Sequence, residues 1–330
     1  INNRLGDDTV PTGRTDWWPY GGLTRDVMLV ATPEQYIVNA KVVLHSDRSA
    51  ITAEVATQGF VSGDKVAVVI PELDINQTAR INDRGDARLR IPAQPQLWQP
   101  GAPKLYRVEL TAGDDQISDD IGFRTIETSG TTIMLNGEPI KFKGISTHEE
   151  PIGRDGVAYS EADMRVLFNE AKELGVNFVR AAHYPYSRHA ARVADELGIL
   201  LWEEVPIYWN IAWDNAETLA IARDQLARLI ERDWNRASVV IWSVANETPY
   251  SESRMKFLRR LIDDVRELDD SRLVSAALLG DTRRELKHVA AHLAAYGQES
   301  DIASDQEKAV FSRVVAAAGD AAPKPGAGFT

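Results

Sequence analysis

The feature that most constrains the fold is a repeated alternation of short apolar segments and amphipathic helical patterns, which begins near residue 128. Units of this kind form parallel sheets whose faces the helices cover. No glycine-rich phosphate loop follows the first apolar segment, which disfavours a nucleotide-binding open sheet. The pattern therefore predicts a (β/α) barrel. We predict strands at 142–146, 176–180, 199–202, 239–242 and 273–277, with helices at 160–174, 188–197, 216–234, 254–268 and 284–293.

Two regions of different character precede the barrel pattern. Residues 1–31 are short and irregular and contain the aromatic pair Trp17-Trp18, which could pack against a neighbouring domain or stack on a sugar. Residues 32–127 carry short alternating segments separated by Gly, Asp, Asn and Pro, which is typical of a β-sandwich. Examples of its predicted strands are 36–44, 49–55, 65–70, 105–110 and 121–126. After residue 128, where the pattern changes, Leu135-Asn136-Gly137-Glu138 predicts a hairpin.

Composition excludes several classes of protein. The chain has 330 residues with 37 basic and 49 acidic side chains, a net charge of −12 that repels a phosphate backbone, so we expect no nucleic-acid partner. No apolar run approaches the roughly 18 residues of a membrane span, so we expect a soluble protein with no membrane partner. The chain contains no cysteine, which excludes disulfides and a cysteine nucleophile. The compartment, cytoplasmic or periplasmic, stays open.

Polar and titratable residues follow four of the predicted strands. His148 follows the first, His183 the second, and Glu204 and then Asn246-Glu247 the third and fourth. The chemistry of (β/α) barrels lies at the C-terminal ends of the strands. The four strand ends together therefore predict a functional site.

Glu247 is the strongest candidate for catalysis, because it follows a nearly apolar strand. A carboxylate in a partly desolvated mouth has a raised pKa and can act as a general acid. The alternative is a glutamate that merely starts the next helix, since Thr248-Pro249 follows. Asn246 could bind a substrate hydroxyl or could be a turn residue.

The other candidates also have two interpretations each. His148 and His183 lack the close spacing of a metal-binding pair, so we expect no metal site and expect them to bind sugar hydroxyls or catalytic carboxylates. Glu204 could face the substrate or pair with Arg180. Tyr208 and Trp209, together with Trp213, could form a sugar-stacking rim or pack beneath their loop.

Several of these segments together resemble glycoside hydrolase family 2, which includes β-galactosidases and β-glucuronidases. The segment 242–247, Trp-Ser-Val-Ala-Asn-Glu, resembles the acid/base motif of that family, and His183-Tyr184-Pro185 after Arg180 resembles its second-strand motif. Residues 144–149 look like its first-strand segment, although Ser146-Thr147 replaces the usual Asn-Arg. Residues 17–25 resemble the end of its N-terminal sugar-binding jelly roll.

The resemblance implies three domains: a jelly-roll remnant at 1–31, an immunoglobulin-like β-sandwich at 32–127 and a partial TIM barrel at 128–330. It also implies a retaining exo-β-glycosidase that hydrolyses terminal β-galactosides or β-glucuronides. Glu247 would be the acid/base and Asn246 would contact the sugar 2-hydroxyl. A second glutamate would be the nucleophile, about 5 Å away. No cofactor is implied, and a homo-oligomer is expected.

The predicted nucleophile has no clear position in this chain. Only five strand–helix units are recognisable, and Glu285, Glu299 and Glu307 do not follow an apolar strand. We therefore expect a fragment of a longer enzyme that is weakly active or inactive alone. The alternative is a non-catalytic carbohydrate-binding protein with the same fold. The sequence does not distinguish galactoside, glucuronide and mannoside.

Overall fold

The computed structural model describes residues 4–151, 153 and 156–279. The predicted helix at 284–293 and the glutamates at 285, 299 and 307 lie outside the described residues. None of the helices within the described ranges is long and apolar enough to cross a membrane.

The first large unit is a sandwich of two antiparallel sheets. Alternate side chains of its strands point between the sheets and form one apolar core. The sheet orders are β1-β2-β5 and β4-β3-β6-β7. The strands are β1 Tyr36–Leu44, β2 Ala50–Gln58, β3 Lys65–Ile70, β4 Ile75–Arg80, β5 Asp86–Pro92, β6 Tyr106–Ala112 and β7 Asp115–Ile121, with a single 3₁₀ turn at Pro71–Leu73.

The predicted last strand of the sandwich is wrong in its position. We predicted 121–126, but β7 ends at Ile121 and the Phe123 carbonyl accepts a hydrogen bond from the Trp98 backbone N–H at 2.8 Å. The strand itself was missed because three aspartates interrupt its apolar alternation. Such residues are tolerated there because β7 lies at a sheet edge, where one side meets solvent.

A small antiparallel sheet connects the sandwich to the barrel unit. It contains β8 Ile126–Ser129, β9 Thr132–Leu135 and β10 Glu138–Pro139. Asn136 and Gly137 form the tight turn with φ values of 57° and 83°. A two-residue turn of this kind needs positive φ at both positions, which Asn-Gly provides. The predicted hairpin is confirmed.

The second large unit is a five-stranded parallel sheet with the strands in chain order, β11-β12-β13-β14-β15. It is an incomplete TIM barrel, as the alternating pattern predicts. Its strands are β11 Gly144–Thr147, β12 Phe178–Ala181, β13 Leu200–Glu204, β14 Val239–Thr248 and β15 Leu273–Leu278. The helices between them are α1 Glu161–Glu173, α2 Arg188–Leu197, α3 Ala216–Asp233 and α4 Glu252–Leu268.

Local sequence signals set the helix boundaries. Ser160 and Asp163 form a reciprocal capping box at the start of α1, which satisfies two backbone N–H groups. Gly198 ends α2 in the left-handed conformation, with φ of 71°. A residue without Cβ adopts that conformation without strain. The chain therefore passes directly from the short helix α2 into β13.

Four buried charged residues, which we call the interface cluster, connect the sandwich to the barrel: Lys41, Arg124, Asp269 and Arg272. The Arg124 guanidinium donates to the Val239 carbonyl at 2.5 Å, and Lys41 Nζ lies 3.4 Å from Asp269 Oδ1. Arg272 Nη1 donates to Asp269 Oδ2 at 2.6 Å. Contacts from both units meet on Asp269, so the sandwich packs directly on the end of the barrel sheet opposite the predicted site.

Candidate active site

The carboxyl ends of the parallel strands form one edge of the barrel sheet, and the candidate residues lie there. Because β12, β13 and β14 are adjacent, side chains that follow them in the sequence become neighbours. His183 Nδ1 lies 2.6 Å from Glu204 Oε1. Arg180 bridges to β14, where Nη2 donates to Asn246 Oδ1 at 2.6 Å.

Glu204 is the central acceptor of this network. Its side chain is 0% exposed, and both oxygens accept hydrogen bonds from Arg180 at 3.0 Å. The Trp202 indole N–H adds a third donor at 2.8 Å. Of the two interpretations that the sequence left open for Glu204, these contacts show the pairing with Arg180. A buried carboxylate is stable as an anion only with partners of this kind.

Asn246 is held in one orientation. Its backbone N–H donates to the Ile207 carbonyl at 2.8 Å, and Arg180 occupies its side-chain oxygen. The side chain is buried, and its Nδ2 has no hydrogen-bond partner among the residues that the structure describes. Unpaired buried donors are uncommon because each costs free energy. The network therefore presents an amide N–H₂ group that a ligand could use.

Glu247 lies at an irregularity in β14 rather than beyond its end. The register against β15 shifts between Ser243 and Asn246 and again between Asn246 and Thr248. Glu247 has φ of 49°, a left-handed conformation that costs free energy outside glycine. Bulges of this kind redirect side chains beside functional sites. Here the bulge keeps Asn246 buried while Glu247 points outward.

The environment of Glu247 differs from the one that we expected. We expected a partly desolvated mouth, but the residue is exposed. Trp209 Nε1 donates to Glu247 Oε2 at 3.0 Å. Trp209 also has positive φ, 51°, and its backbone N–H donates to the Asn246 carbonyl at 3.1 Å. The loop after β13 is thereby attached to the end of β14, and this attachment places the indole against the carboxylate.

The three aromatic residues of that loop have different environments. Tyr208 is fully buried rather than part of a rim, because it forms a β-bridge with Asn246 and its ring contacts Trp17 edge-on at 5.0 Å. Trp213 packs edge-on against Phe257 at 5.4 Å, which is packing beneath the loop. Trp209, at 39% exposure, is the most exposed of the three, and its ring could meet a ligand from solvent.

The N-terminal segment takes part in the site, which the sequence left open as one of two interpretations of its aromatic pair. The Trp17 ring centroid lies 6.3 Å from that of His148 and 6.0 Å from that of His183. Asp16 offers an oxygen within 4.8 Å of ring nitrogens of both histidines. Arg25 fastens the segment through a 2.6 Å ion pair with buried Glu149. The aromatic pair was the available signal, and the adjacent aspartate could have been considered with it.

Burial controls the electrostatics of this pocket. It lowers the pKa of His148, and the neighbouring His183 lowers it further, so that His148 is a neutral imidazole at pH 7. Burial raises the pKa of Glu149, against the opposing effect of Arg25. Burial and the nearby Asp16 raise the pKa of the Tyr208 phenol. The pocket therefore holds neutral hydrogen-bonding groups around a paired Arg180–Glu204 centre.

Comparison with known families gives two adjacent matches. The profile described as Glycosyl hydrolases family 2, TIM barrel domain, matches residues 126–309. The profile described as Glycosyl hydrolases family 2 matches residues 27–124. The first match covers more than half of the chain, and the junction between the two falls where the sandwich meets the small connecting sheet.

Individual relatives agree with the family matches. A β-glucuronidase of Paenibacillus borealis is 30% identical over 83% of this chain and 52% of its own length. A β-galactosidase of Halalkalibacterium halodurans is 28% identical over 78% of this chain and 28% of its own. A galacturonate-bound β-galacturonidase structure from Eisenbergiella tayi has a TM-score of 0.75 at 27% identity, covering 84% of this chain and 53% of that one. The chain thus spans about half of these relatives or less.

Proposed function

Because the chain belongs to glycosyl hydrolases family 2, we propose that it carries the acid/base part of a retaining exo-β-glycosidase that acts on terminal β-galactosides or β-glucuronides. The observation that supports this proposal most strongly is the Asn246-Glu247 pair on the bulge of β14. There one residue holds a buried, unpaired amide and the next presents an accessible carboxyl group.

Glu247 is proposed as the acid/base. In the first step it donates a proton to the glycosidic oxygen as the bond to the sugar breaks, and in the second it removes a proton from the attacking water. The Trp209 N–H holds one carboxyl oxygen at 3.0 Å, which leaves the other free to carry the transferred proton. Trp209 is thus a positioning residue for this step.

Asn246 is proposed to bind the sugar 2-hydroxyl. Its Oδ1 is occupied by Arg180, so Nδ2 is the group that would donate to the substrate. Hydrogen bonds to the 2-hydroxyl strengthen in the transition state of retaining glycosidases. His148 and His183 line the same pocket and are proposed as further hydroxyl contacts, with Trp17 as the adjacent apolar face.

The nucleophile is proposed to be a carboxylate other than those that end β13. Glu203 and Glu204 are 1% and 0% exposed. Glu204 already accepts hydrogen bonds from Arg180 and His183. Burial beside Asp233 raises the pKa of Glu203 well above its usual range. A neutral or fully paired carboxyl group is a poor nucleophile. This chain is therefore proposed to be weakly active or inactive by itself.

The test compares leaving groups in the full-length gene product. Glu247→Gln should slow hydrolysis of phenyl β-glucuronide or β-galactoside by roughly 10²–10⁴-fold, because such leaving groups need a proton. It should slow the 2,4-dinitrophenyl glycoside far less in the step that breaks the glycosidic bond. Glu252→Gln, an exposed glutamate five residues further along, is the matched control and should leave both rates unchanged.

Equal losses on the two substrates would contradict the acid/base role of Glu247. Calorimetry and activity assays of the full-length protein with glucuronate and galactose and their β-glycosides test the alternative. Tight sugar binding by a full-length protein without turnover would favour a carbohydrate-binding protein.

A further inference from the structure

The loop at residues 182–187, which we call the His183 loop, follows β12 and carries His183 into the sugar pocket. An arginine outside that pocket holds the backbone of this loop, because Arg232 Nη1 donates to the Tyr186 carbonyl at 2.7 Å. We propose that Arg232 is a positioning residue, which orients the His183 loop for the sugar without contacting the sugar itself. The inference rests on the proposed glycosidase function and adds a residue that this function does not yet include.

The position of Arg232 on its helix explains how it reaches the loop. Arg232 lies in the last turn of α3, and α3 begins after β13, at the edge of the sheet where the pocket lies. Helical Cα–Cβ bonds point towards the start of the helix. The side chain of Arg232 therefore extends back towards the pocket edge, where it meets a carbonyl that lies 46 positions earlier in the chain.

Two carboxyl groups hold the Arg232 guanidinium in place. Its Nε donates to Asp233 Oδ2 at 2.7 Å, and its Nη2 lies 3.8 Å from Glu203 Oε1. Burial lowers the pKa of Arg232, but the neighbouring Asp233 and Glu203 raise it overall, so the guanidinium is charged. A planar guanidinium can bind a carboxylate with some of its five donors while another donates elsewhere. Here Nη1 is the donor that is directed at the loop.

The proposed role of Arg232 also accounts for the position of Glu203. Side chains alternate along a strand, so Glu204 faces the pocket and Glu203 faces the helices. Glu203 is 1% exposed, and neither of its oxygens has a hydrogen-bond partner among the described residues. A buried carboxyl group without such partners costs free energy. Its ion-pair contact is with Arg232, so we infer that Glu203 supports the guanidinium that holds the loop.

Two further contacts hold the His183 loop, each from a different part of the chain. Arg25 Nη2 donates to the Pro185 carbonyl at 2.7 Å, and buried Glu149 accepts from the Ser187 backbone N–H. Functional groups reach the accuracy that catalysis needs when surrounding hydrogen bonds hold the segment that carries them. Of the three side chains that hold this loop, Arg232 is the one that comes from a helix behind the sheet.

The test compares Arg232→Met with Arg228→Met in the full-length gene product. Arg228 is the matched control, because it lies one turn earlier on α3 and pairs on the surface with Asp224, at 2.8 Å. Arg232→Met should lower kcat/KM by roughly 10–100-fold, since a displacement of about 1 Å can have an effect of that size. Arg228→Met should leave kcat/KM unchanged. Rates are expressed per folded molecule, so a loss of stability alone does not change them.

Two comparisons separate this role from acid catalysis and from misfolding. The loop is proposed to contact the sugar rather than the leaving group, so Arg232→Met should slow the phenyl and the 2,4-dinitrophenyl glycoside by the same factor. Glu247→Gln should slow mainly the phenyl glycoside. Arg232→Lys keeps a cation that can reach Asp233 or the Tyr186 carbonyl but not both, so it should lose less activity than Arg232→Met. It also provides the test if the methionine variant does not fold.

Amide hydrogen exchange of residues 183–187 gives a result that does not depend on activity. Exchange in this loop should be faster in Arg232→Met than in Arg228→Met, because one of the contacts that hold the loop is lost. Kinetics and loop exchange that are the same in the two variants would overturn the proposal. If the full-length protein shows no turnover, the glycosidase proposal fails, and faster loop exchange together with weaker glucuronate or galactose binding in Arg232→Met still supports the positioning role.

Discussion

The interface cluster and the active-site pocket are both buried and polar, but they differ in how completely their side chains are paired. In the interface cluster, the single side chain of Arg272 donates four hydrogen bonds of 2.6–2.9 Å, to Asp269 and to the carbonyls of Val239, Trp234 and Arg236. In the pocket, by contrast, His148 Nδ1 and Asn246 Nδ2 have no hydrogen-bond partner within the described ranges.

The difference distinguishes polar side chains that are buried to hold the domains together from polar side chains that are buried where a ligand could bind. A fully paired cluster stabilises one arrangement of two domains, because removing any member exposes another charge to a low-dielectric surrounding. Unpaired polar atoms cost free energy in the folded protein and persist where a ligand can repay them. The comparison therefore predicts opposite responses to substitution in the two regions.

The largest effect is expected from Arg272→Met. The change leaves Asp269 with Lys41 as its remaining cationic partner and several carbonyls without a donor. The free energy of unfolding should fall by about 3–5 kcal/mol, measured by urea denaturation of the 330-residue chain. Arg88→Met is the control, since Arg88 pairs with Glu54 on the surface, and it should cost less than about 1 kcal/mol. Similar losses in both variants would contradict the difference in pairing between the two regions.

A pH-dependent effect is expected at Asp269. Burial would raise its pKa, but the charges of Arg272 and Lys41, with hydrogen bonds from Ser271 and Trp242, lower it overall. In the unfolded chain the carboxyl group has a pKa of about 3.9. Its contribution is therefore fully present above that pH and is lost as the pH falls towards the lower folded pKa.

The slope for one such proton is at most about 1.4 kcal/mol per pH unit. Urea denaturation between pH 3 and pH 7 should show a decline at the acid end that is smaller in Asp269→Asn. An identical acid slope in wild type and variant would mean that the interface cluster does not stabilise this carboxylate.

A smaller effect is expected from a pair of tyrosine substitutions. The buried Tyr106 hydroxyl accepts from the Gln96 backbone N–H at 2.8 Å, so Tyr106→Phe should cost about 1 kcal/mol. Tyr208 is equally buried, but the group nearest its hydroxyl is the carboxylate of exposed Asp16, so Tyr208→Phe should cost less than Tyr106→Phe. If Tyr208→Phe proves the more costly of the two, its hydroxyl is paired in solution and the comparison needs revision.

The smallest effect is expected from Trp209→Phe. The indole is partly exposed and its N–H contacts Glu247, which is also exposed. Stability should therefore change by no more than about 0.5 kcal/mol in a thermal or urea titration. A loss above about 1 kcal/mol would place Trp209 among the residues that support the fold rather than among those that position Glu247.

Much of the barrel was predictable because its signals are local. The helix at 188–197 was predicted with the bounds that α2 has, and the helix predicted from residue 160 begins at Glu161, directly after its cap Ser160. Apolar periodicity and capping depend on neighbours within a few residues, so a sequence displays them directly. β7 was missed because the signal that explains it is not local. Its aspartates are tolerated at a sheet edge, and only the assembled sheet shows that β7 lies at that edge.

Candidate residues at strand ends were also predictable as a set, but their environments were not. Tyr208 and Trp209 are adjacent aromatics with the same apparent role, and yet one is buried and the other exposed. An aromatic ring that carries a polar group can be accommodated either in the interior or at the surface. Which one it takes depends on the bridge between Tyr208 and Asn246, a contact between two different strand ends.

The sequence by itself determined the order of a sandwich and a parallel β/α unit, and the presence of polar residues where four of the strands end. Tertiary structure alone decided which of those residues meet. It brought Asp16 to the two histidines, fastened through Arg25 and Glu149, and it placed the bulge that separates buried Asn246 from exposed Glu247. The reason is that the hydrophobic periodicity of a sequence shows which face of each helix or strand is apolar. A site, in contrast, is built from contacts between elements that are far apart in the chain.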